Sequence, residues 1–323
     1  RATPWLVTPN GGEACNPQRA FWWWISGCSS TGWLQAVLPD AAAGAAGEAL
    51  TLLKTLDPDP TPVLGDLYFE LHEEKREVYV VTRIDPQAWP DGVGYIRYGL
   101  DPERIGQYPS EEQFLAAYFS AVKAYESVRR ALDSVRVGEA PDRTLVEREP
   151  VLREAMNSFT GLRALRVGDV VEVPLLVPHA LQHGVRTVEF QTPSYERKIL
   201  SFAQKVLTQD HWDTAAAVEK MRLRPPEASP FAGLHIKDGV IVERIVDFPD
   251  FEVLRGTLQV GSSWPAEALP SYSILIVIAG SLELGGQLYQ AEQALLLPRA
   301  WRGLLRASQA PQPLVFLLAV PRV

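Results

Sequence analysis

Glu70, His72, Glu77 and His179 are the residues whose types and spacing could carry chemistry. Glu70 and His72 stand two apart in Leu67-Tyr68-Phe69-Glu70-Leu71-His72, which reads as a strand, so the alternation of strand side chains puts both on one face. Glu77 follows after four intervening residues, where the next strand begins, and hairpin pairing brings it beside them. His179 lies about a hundred positions further on, at the end of an apolar strand, so a barrel closing on itself delivers it as a fourth ligand. Imidazole nitrogens with carboxylate oxygens suit one divalent first-row ion, Zn, Fe, Mn, Co or Ni, and ligand type alone does not choose among them. A site of this kind with room for water acts as a Lewis acid.

The elements that must position these residues are mostly strands. The β-branched run Val78 to Ile84 completes a hairpin with the Glu70 strand. Between Tyr108 and Val135 the period changes: Tyr118, Val122, Tyr125, Arg129 and Leu132 step along one helical face behind a Pro109-Ser110 start, with Gln113 completing a capping box. The charged stretch from Arg136 to Arg153 carries the chain back, and strands resume over Leu165 to Phe190 with a turn at Gly168-Asp169. Ile199 to Val206 reads as strand and Trp212 to Met221 as a helix begun by Asp210, before Pro225-Pro226 breaks the chain. Strand patterns then continue to Val320.

The expectation is a mainly β protein of 323 residues in two domains. Residues 1–222 form the metal-binding domain, with a helical insertion at about 101–160 and a helical segment at about 210–222. Residues 223–323 form a second β domain with no ligand set, since Gly280 to Pro298 contains no histidine.

A formal net charge of −8 without a basic stripe argues against nucleic acid or a membrane surface as partner and leaves small molecules open. The two cysteines, Cys15 and Cys28, are too few for a disulfide scaffold, which makes a cytoplasmic location the default. No apolar run reaches the roughly eighteen residues of a membrane span, and the first residues lack a secretion pattern. The aromatic run Phe21-Trp22-Trp23-Trp24 reads as packing.

Gly65, Glu70-Leu71-His72 and Glu77 resemble the first motif of the cupins, with Glu in place of the first His and the glycine spacing one residue short. Gly168, Pro174 and His179 resemble the second cupin motif, with Leu176 where glycine is usual. Within the cupins the chain is similar to the class I mannose-6-phosphate isomerases. The similarity rests on Lys75-Arg76-Glu77, the run Val167 to Pro174, Pro178-His179-Ala180-Leu181, Gly184-Val185 and Val188-Glu189-Phe190-Gln191, and it covers the chain from about Leu64 onward.

The resemblance implies two cupin (jelly-roll β-barrel) domains, the first with a helical insertion and the second degenerate. It implies one divalent metal, zinc, on Glu70, His72, Glu77 and His179, where Glu70 replaces the family's Gln. It places an active-site lysine at Lys75 and an active-site arginine at Arg197 or, by strict count, Lys198; the planar fork of arginine favours Arg197. The reaction implied is aldose–ketose isomerisation of a sugar phosphate, mannose 6-phosphate to fructose 6-phosphate or a related pair; its proton transfer needs a general base of near-neutral pKa, for which Glu189 and His183 are the candidates. A non-catalytic sugar-binding or structural bicupin and a cupin dioxygenase are the alternatives, and the oligomeric state stays open.

Overall fold

The computed structural model describes residues 5–7, 20–21, 51–136, 138–266, 272–299 and 301–322; Cys15, Cys28 and Trp22 to Trp24 lie outside them. The chain is mainly β, and its sheets pair as two jelly-roll barrels with helices inserted in the first. One sheet of the first barrel runs, in spatial order, Ala20–Phe21, Leu52–Leu56, Val185–Gln191, Glu77–Ile84 and Val170–Val173. The other runs Lys198–Ser201, Phe69–Leu71, His179–Leu181, Gly94–Leu100 and Thr160–Leu165. Every pairing is antiparallel.

Strand alternation sorts the side chains into three compartments. Tyr79, Val81, Val171, Leu181 and Val185 face the barrel interior. Their neighbours Val78, Val80, Val188 and Phe190 point outward, onto Phe251, Val253, Ile276 and Leu317 of the second barrel. Burying such apolar side chains contributes roughly 1.5–3 kcal/mol each, so the two barrels are joined by a shared core. On the opposite sheet, Phe69, Leu71, Ala180 and Ile199 face out and are covered by the helical insertion.

That insertion sits between the paired strands Gly94–Leu100 and Thr160–Leu165 and contains helices Pro102–Gly106, Glu111–Asp133 and Arg143–Asn157. Ser110 caps the long helix, its hydroxyl accepting from the Gln113 backbone N–H at 3.2 Å. The buried stripe is Phe114, Tyr118, Val122, Tyr125 and Val128. Arg129 leaves the expected apolar face to pair with Asp133.

The helical segment expected over 210–222 shrinks to Thr214–Val218. Asp210 is exposed, and Asp213 at the cap position accepts from the Ile199 backbone N–H at 3.0 Å instead of capping. Trp212 packs on Tyr125 with ring centroids 5.9 Å apart. Tertiary pairing with the Lys198–Ser201 strand therefore outcompetes helix extension.

The second barrel has a seven-stranded sheet that includes Ser273–Ala279, Leu314–Pro321 and Phe251–Leu258, and a four-stranded sheet that includes Gly303–Ala307 and Ser281–Leu284. Between them lie Val242, Leu275, Leu295, Phe316 and Leu318. Trp5–Val7 adds to the edge of the larger sheet by pairing with Ala294–Leu297, although it precedes the first barrel in sequence. No helix of the described residues is long and apolar enough to cross a membrane.

Candidate metal centre

Glu70 and His179 are direct cross-strand partners, and Tyr98 pairs with His179 on its other side. Because Phe69 and Leu71 face the helices, Glu70 and His72 face the interior together, where His179 meets them. One ligand atom from each of Glu70, His72 and His179 lies within 4.8 Å of the other two. Among the described residues this is the one such grouping of three or more His, Cys, Asp and Glu, and the second barrel holds none.

The imidazoles are oriented by the backbone. His72 Nδ1 lies 2.9 Å from the Glu196 carbonyl oxygen, and His179 Nδ1 lies 3.1 Å from that of Val177. A carbonyl accepts only, so each Nδ1 carries the hydrogen and each Nε2 presents a lone pair in the neutral ring. His72 Nε2 is buried without a hydrogen-bond partner, as is Glu70 Oε2. Glu77 Oε2 lies 3.2 Å from His179 Nε2 and 3.5 Å from His72 Nε2. Two lone pairs and a carboxylate oxygen converging among buried groups favour a positive charge between them. Burial works to lower the His179 pKa, but the Glu77 hydrogen bond and charge raise it above its ordinary value.

Glu77 is held on both oxygens, with Lys75 Nζ 2.5 Å from Oε1 and the Tyr79 hydroxyl donating to Oε2 at 2.6 Å. Burial would push this carboxyl up, yet Lys75 and the two histidines hold it well below the usual range. Burial likewise works to lower Lys75, and the carboxylates of Glu77, Glu70 and Glu189 more than offset it, leaving the ammonium above its ordinary range. Glu189, one strand away, is pushed up to about 7 by burial and by Glu77, against the opposing charges of Lys54 and Lys75. Lys54 Nζ lies 3.3 Å from Glu189 Oε1 and also donates to Gln191 Oε1.

At the edge of the cluster Arg197 lies 3.7 Å from Glu70 Oε2 and stacks over Tyr68 and Tyr195, at 4.8 and 5.5 Å from the ring centroids. Lys198 instead pairs with Glu73 at 3.0 Å. Glu196 ties the segment after His72 in place, its carboxylate accepting from the backbone N–H of Glu73 and Glu74 at 2.9 and 3.1 Å. Leu176, at the usual glycine position, adopts φ 69°, a left-handed conformation that costs a leucine roughly 1–2 kcal/mol, and its N–H donates to the His72 carbonyl at 2.8 Å.

The structure thus gathers Glu70, His72, Glu77, His179, Lys75, Arg197 and Glu189. It does not bring His183 to them. His183 follows the far end of the His179 strand, where Val185 pairs with Ile84, whereas Glu77 pairs with Gln191 at the other end. There Asp66 accepts from both its backbone N–H and Nδ1, at 3.1 and 2.7 Å, and Trp89 stacks on its ring. Lys54, Tyr79 and Gln191 were not singled out by the sequence reading. Each had a signal: Tyr79 and Gln191 lie two residues beyond Glu77 and Glu189 on the same faces, and Lys54 is a lone charge in the apolar strand Leu52–Leu56.

No protein-family model matches the sequence, and no curated protein sequence is detectably similar. Solved structures are similar in fold. The mannose 6-phosphate isomerase from Bacillus subtilis superposes with a TM-score of 0.57 at 14% identity, covering 83% of this chain and 74% of that one. A single-substitution variant of the phosphomannose isomerase from Salmonella typhimurium gives 0.60 at 16% identity, covering 91% and 86%. A zinc-bound mannose 6-phosphate isomerase gives 0.58 at 15% identity, covering 88% and 83%. At these identities the likeness is one of fold.

Proposed function

We propose that this chain is a metal-dependent aldose–ketose isomerase acting on a sugar phosphate of the mannose 6-phosphate and fructose 6-phosphate type. The observation that carries the reading is the pair of imidazoles whose Nδ1 atoms are committed to carbonyls and whose Nε2 atoms lie against Glu77 Oε2, with Glu70 within reach of both. His72 Nε2 and Glu70 Oε2 fit a divalent cation, because each is a buried lone-pair atom with no hydrogen-bond partner. Glu70, His72, Glu77 and His179 would hold it, and zinc is the ion of a solved structure of this fold. When bound, the ion lowers the cost of negative charge on the C1 and C2 oxygens of the sugar.

The isomerisation takes a proton from C2 and returns it to C1, while the proton of the C2 hydroxyl passes to the C1 oxygen. Glu189, near neutrality at about 7, is matched to accept and release a proton at the working pH. Lys54 and Lys75 limit the charge that builds in the interior when Glu189 ionises. Arg197, with its guanidinium face on Tyr68 and its edge toward Glu70, is placed to take sugar or phosphate oxygens. In this proposal residues 1–222 carry the chemistry and residues 223–323 support it, with Trp5–Val7 lending an edge strand to the second barrel.

A coupled assay with mannose 6-phosphate and fructose 6-phosphate tests the reaction, and elemental analysis of the purified protein tests the metal. Interconversion that stops on chelation and returns with zinc is the expected result. A zinc-loaded protein that interconverts neither sugar phosphate contradicts the reading.

A further inference from the structure

The two carboxylates of the centre are held in different ways, and a residue outside the ligand set makes the difference. Glu70 has no hydrogen bond on its buried Oε2, which lies 3.7 Å from Arg197, while its Oε1 lies 3.8 Å from His72 Nε2. Glu77 has a donor on each oxygen, Lys75 at 2.5 Å and the Tyr79 hydroxyl at 2.6 Å. Turning Oε2 away from the histidines would break at least one of two charge-assisted hydrogen bonds in a low-dielectric interior, where such bonds are strong.

We propose that Tyr79 is a positioning residue of the metal centre: its hydroxyl fixes Glu77 Oε2 at the point that both histidine Nε2 atoms face. This rests on the metal reading given above. Tyr79 lies two residues after Glu77 on the strand Glu77–Ile84, so both project to the barrel interior, where Tyr79 is 5% exposed and its ring centroid is 6.0 Å from that of His179. From this position the phenol reaches only the oxygen of Glu77 that faces the imidazoles, while Lys75 takes the other. Tyr79 therefore sets where the Glu77 lone pair points, and Glu70, which lacks such a clamp, is left to adjust to the ion. Partners of this kind fix ligand orientation, and their loss weakens metal binding even when every ligand remains.

The test compares Tyr79→Phe with Tyr98→Phe, a second buried tyrosine of the same barrel whose hydroxyl donates to the backbone carbonyl of Glu172 rather than to a ligand. Zinc affinity is measured by chelator competition on the full chain, and thermal unfolding is measured on the metal-free proteins. Y79F is expected to bind zinc roughly tenfold to a hundredfold more weakly than wild type, with Y98F within about twofold of it. A merely structural role would lower the unfolding temperature without this selective loss of affinity. Zinc binding by Y79F within about twofold of wild type, or an equal loss in Y98F, overturns the proposal. His72→Ala separates the two levels. If it loses zinc while Y79F does not, the metal reading stands and this inference fails; if wild type itself takes up no zinc, both fail.

Discussion

Glu70 sits directly opposite His179 in the antiparallel pairing of Phe69–Leu71 with His179–Leu181. This register makes the centre. Strand side chains alternate, so a slip by one residue would bring Ala180 inward and send His179 to the face covered by the helical insertion, where Ala180 now packs. The apolar contacts of Phe69, Leu71 and Ala180 with those helices hold the register, which gives the insertion a role in building the centre although it contributes no ligand.

His72→Ala and His179→Ala should each reduce bound zinc from about one equivalent to a small fraction, as read by elemental analysis after dialysis. Zinc affinity of wild type should also fall as pH falls. Glu77 holds the His179 pKa above its ordinary value, so a proton competes for that nitrogen, and below the His179 pKa each further pH unit costs up to about tenfold in affinity. Affinity independent of pH across this window would remove His179 from the ligand set.

Glu189→Gln should reduce turnover by roughly two to four orders of magnitude while leaving zinc content unchanged. In wild type, kcat/KM should rise with pH through about 7 as Glu189 ionises. The same shift fixes a stability signature in the metal-free protein. The folded value lies above the unfolded one, so the stability linked to the Glu189 proton is fully present below the ordinary glutamate range and is lost as pH rises through about 7. Near pH 8 the Glu189→Gln protein should be the more stable by on the order of 3 kcal/mol, and near pH 4 this advantage should vanish; denaturant titrations at both pH values check it.

That Glu70, His72, Glu77 and His179 come together was legible in the sequence because strand period and motif order act locally. Glu70 with His72, and Glu77 at the next strand start, needed only alternation and a hairpin. The mainly β character and the capped helix behind Ser110 followed from pattern as well. The cross-strand neighbours were harder. Lys54 meets Glu189 only because Leu52–Leu56 pairs with Val185–Gln191, and no local feature states that pairing. His183 misled for the same reason: it is near His179 in sequence, but a strand running away from the centre carries it out of reach. The helix at 214–218 fell short of its pattern because Asp213 and Thr214 spend their side chains on the neighbouring strand.

Asp66→Asn should separate the His183 pair from the chemistry. Burial works to raise the Asp66 pKa, but the hydrogen bonds from His183 outweigh it and the carboxyl sits below its ordinary value. Its contribution is therefore present above the ordinary aspartate range and lost as pH falls through the folded value. At neutral pH the variant should lose roughly 1–3 kcal/mol, as for other hydrogen bonds to charged groups, and the loss should disappear in acid, with zinc affinity unchanged throughout. Denaturant titrations and chelator competition check the two parts separately.

Crystallographic anomalous scattering at the zinc edge, from protein crystallised with the metal, addresses the centre itself. The expected result is one peak about 2.0–2.1 Å from both His72 Nε2 and His179 Nε2, with oxygens of Glu70 and Glu77 completing the shell. A protein that binds zinc with no peak between those two nitrogens would contradict the account.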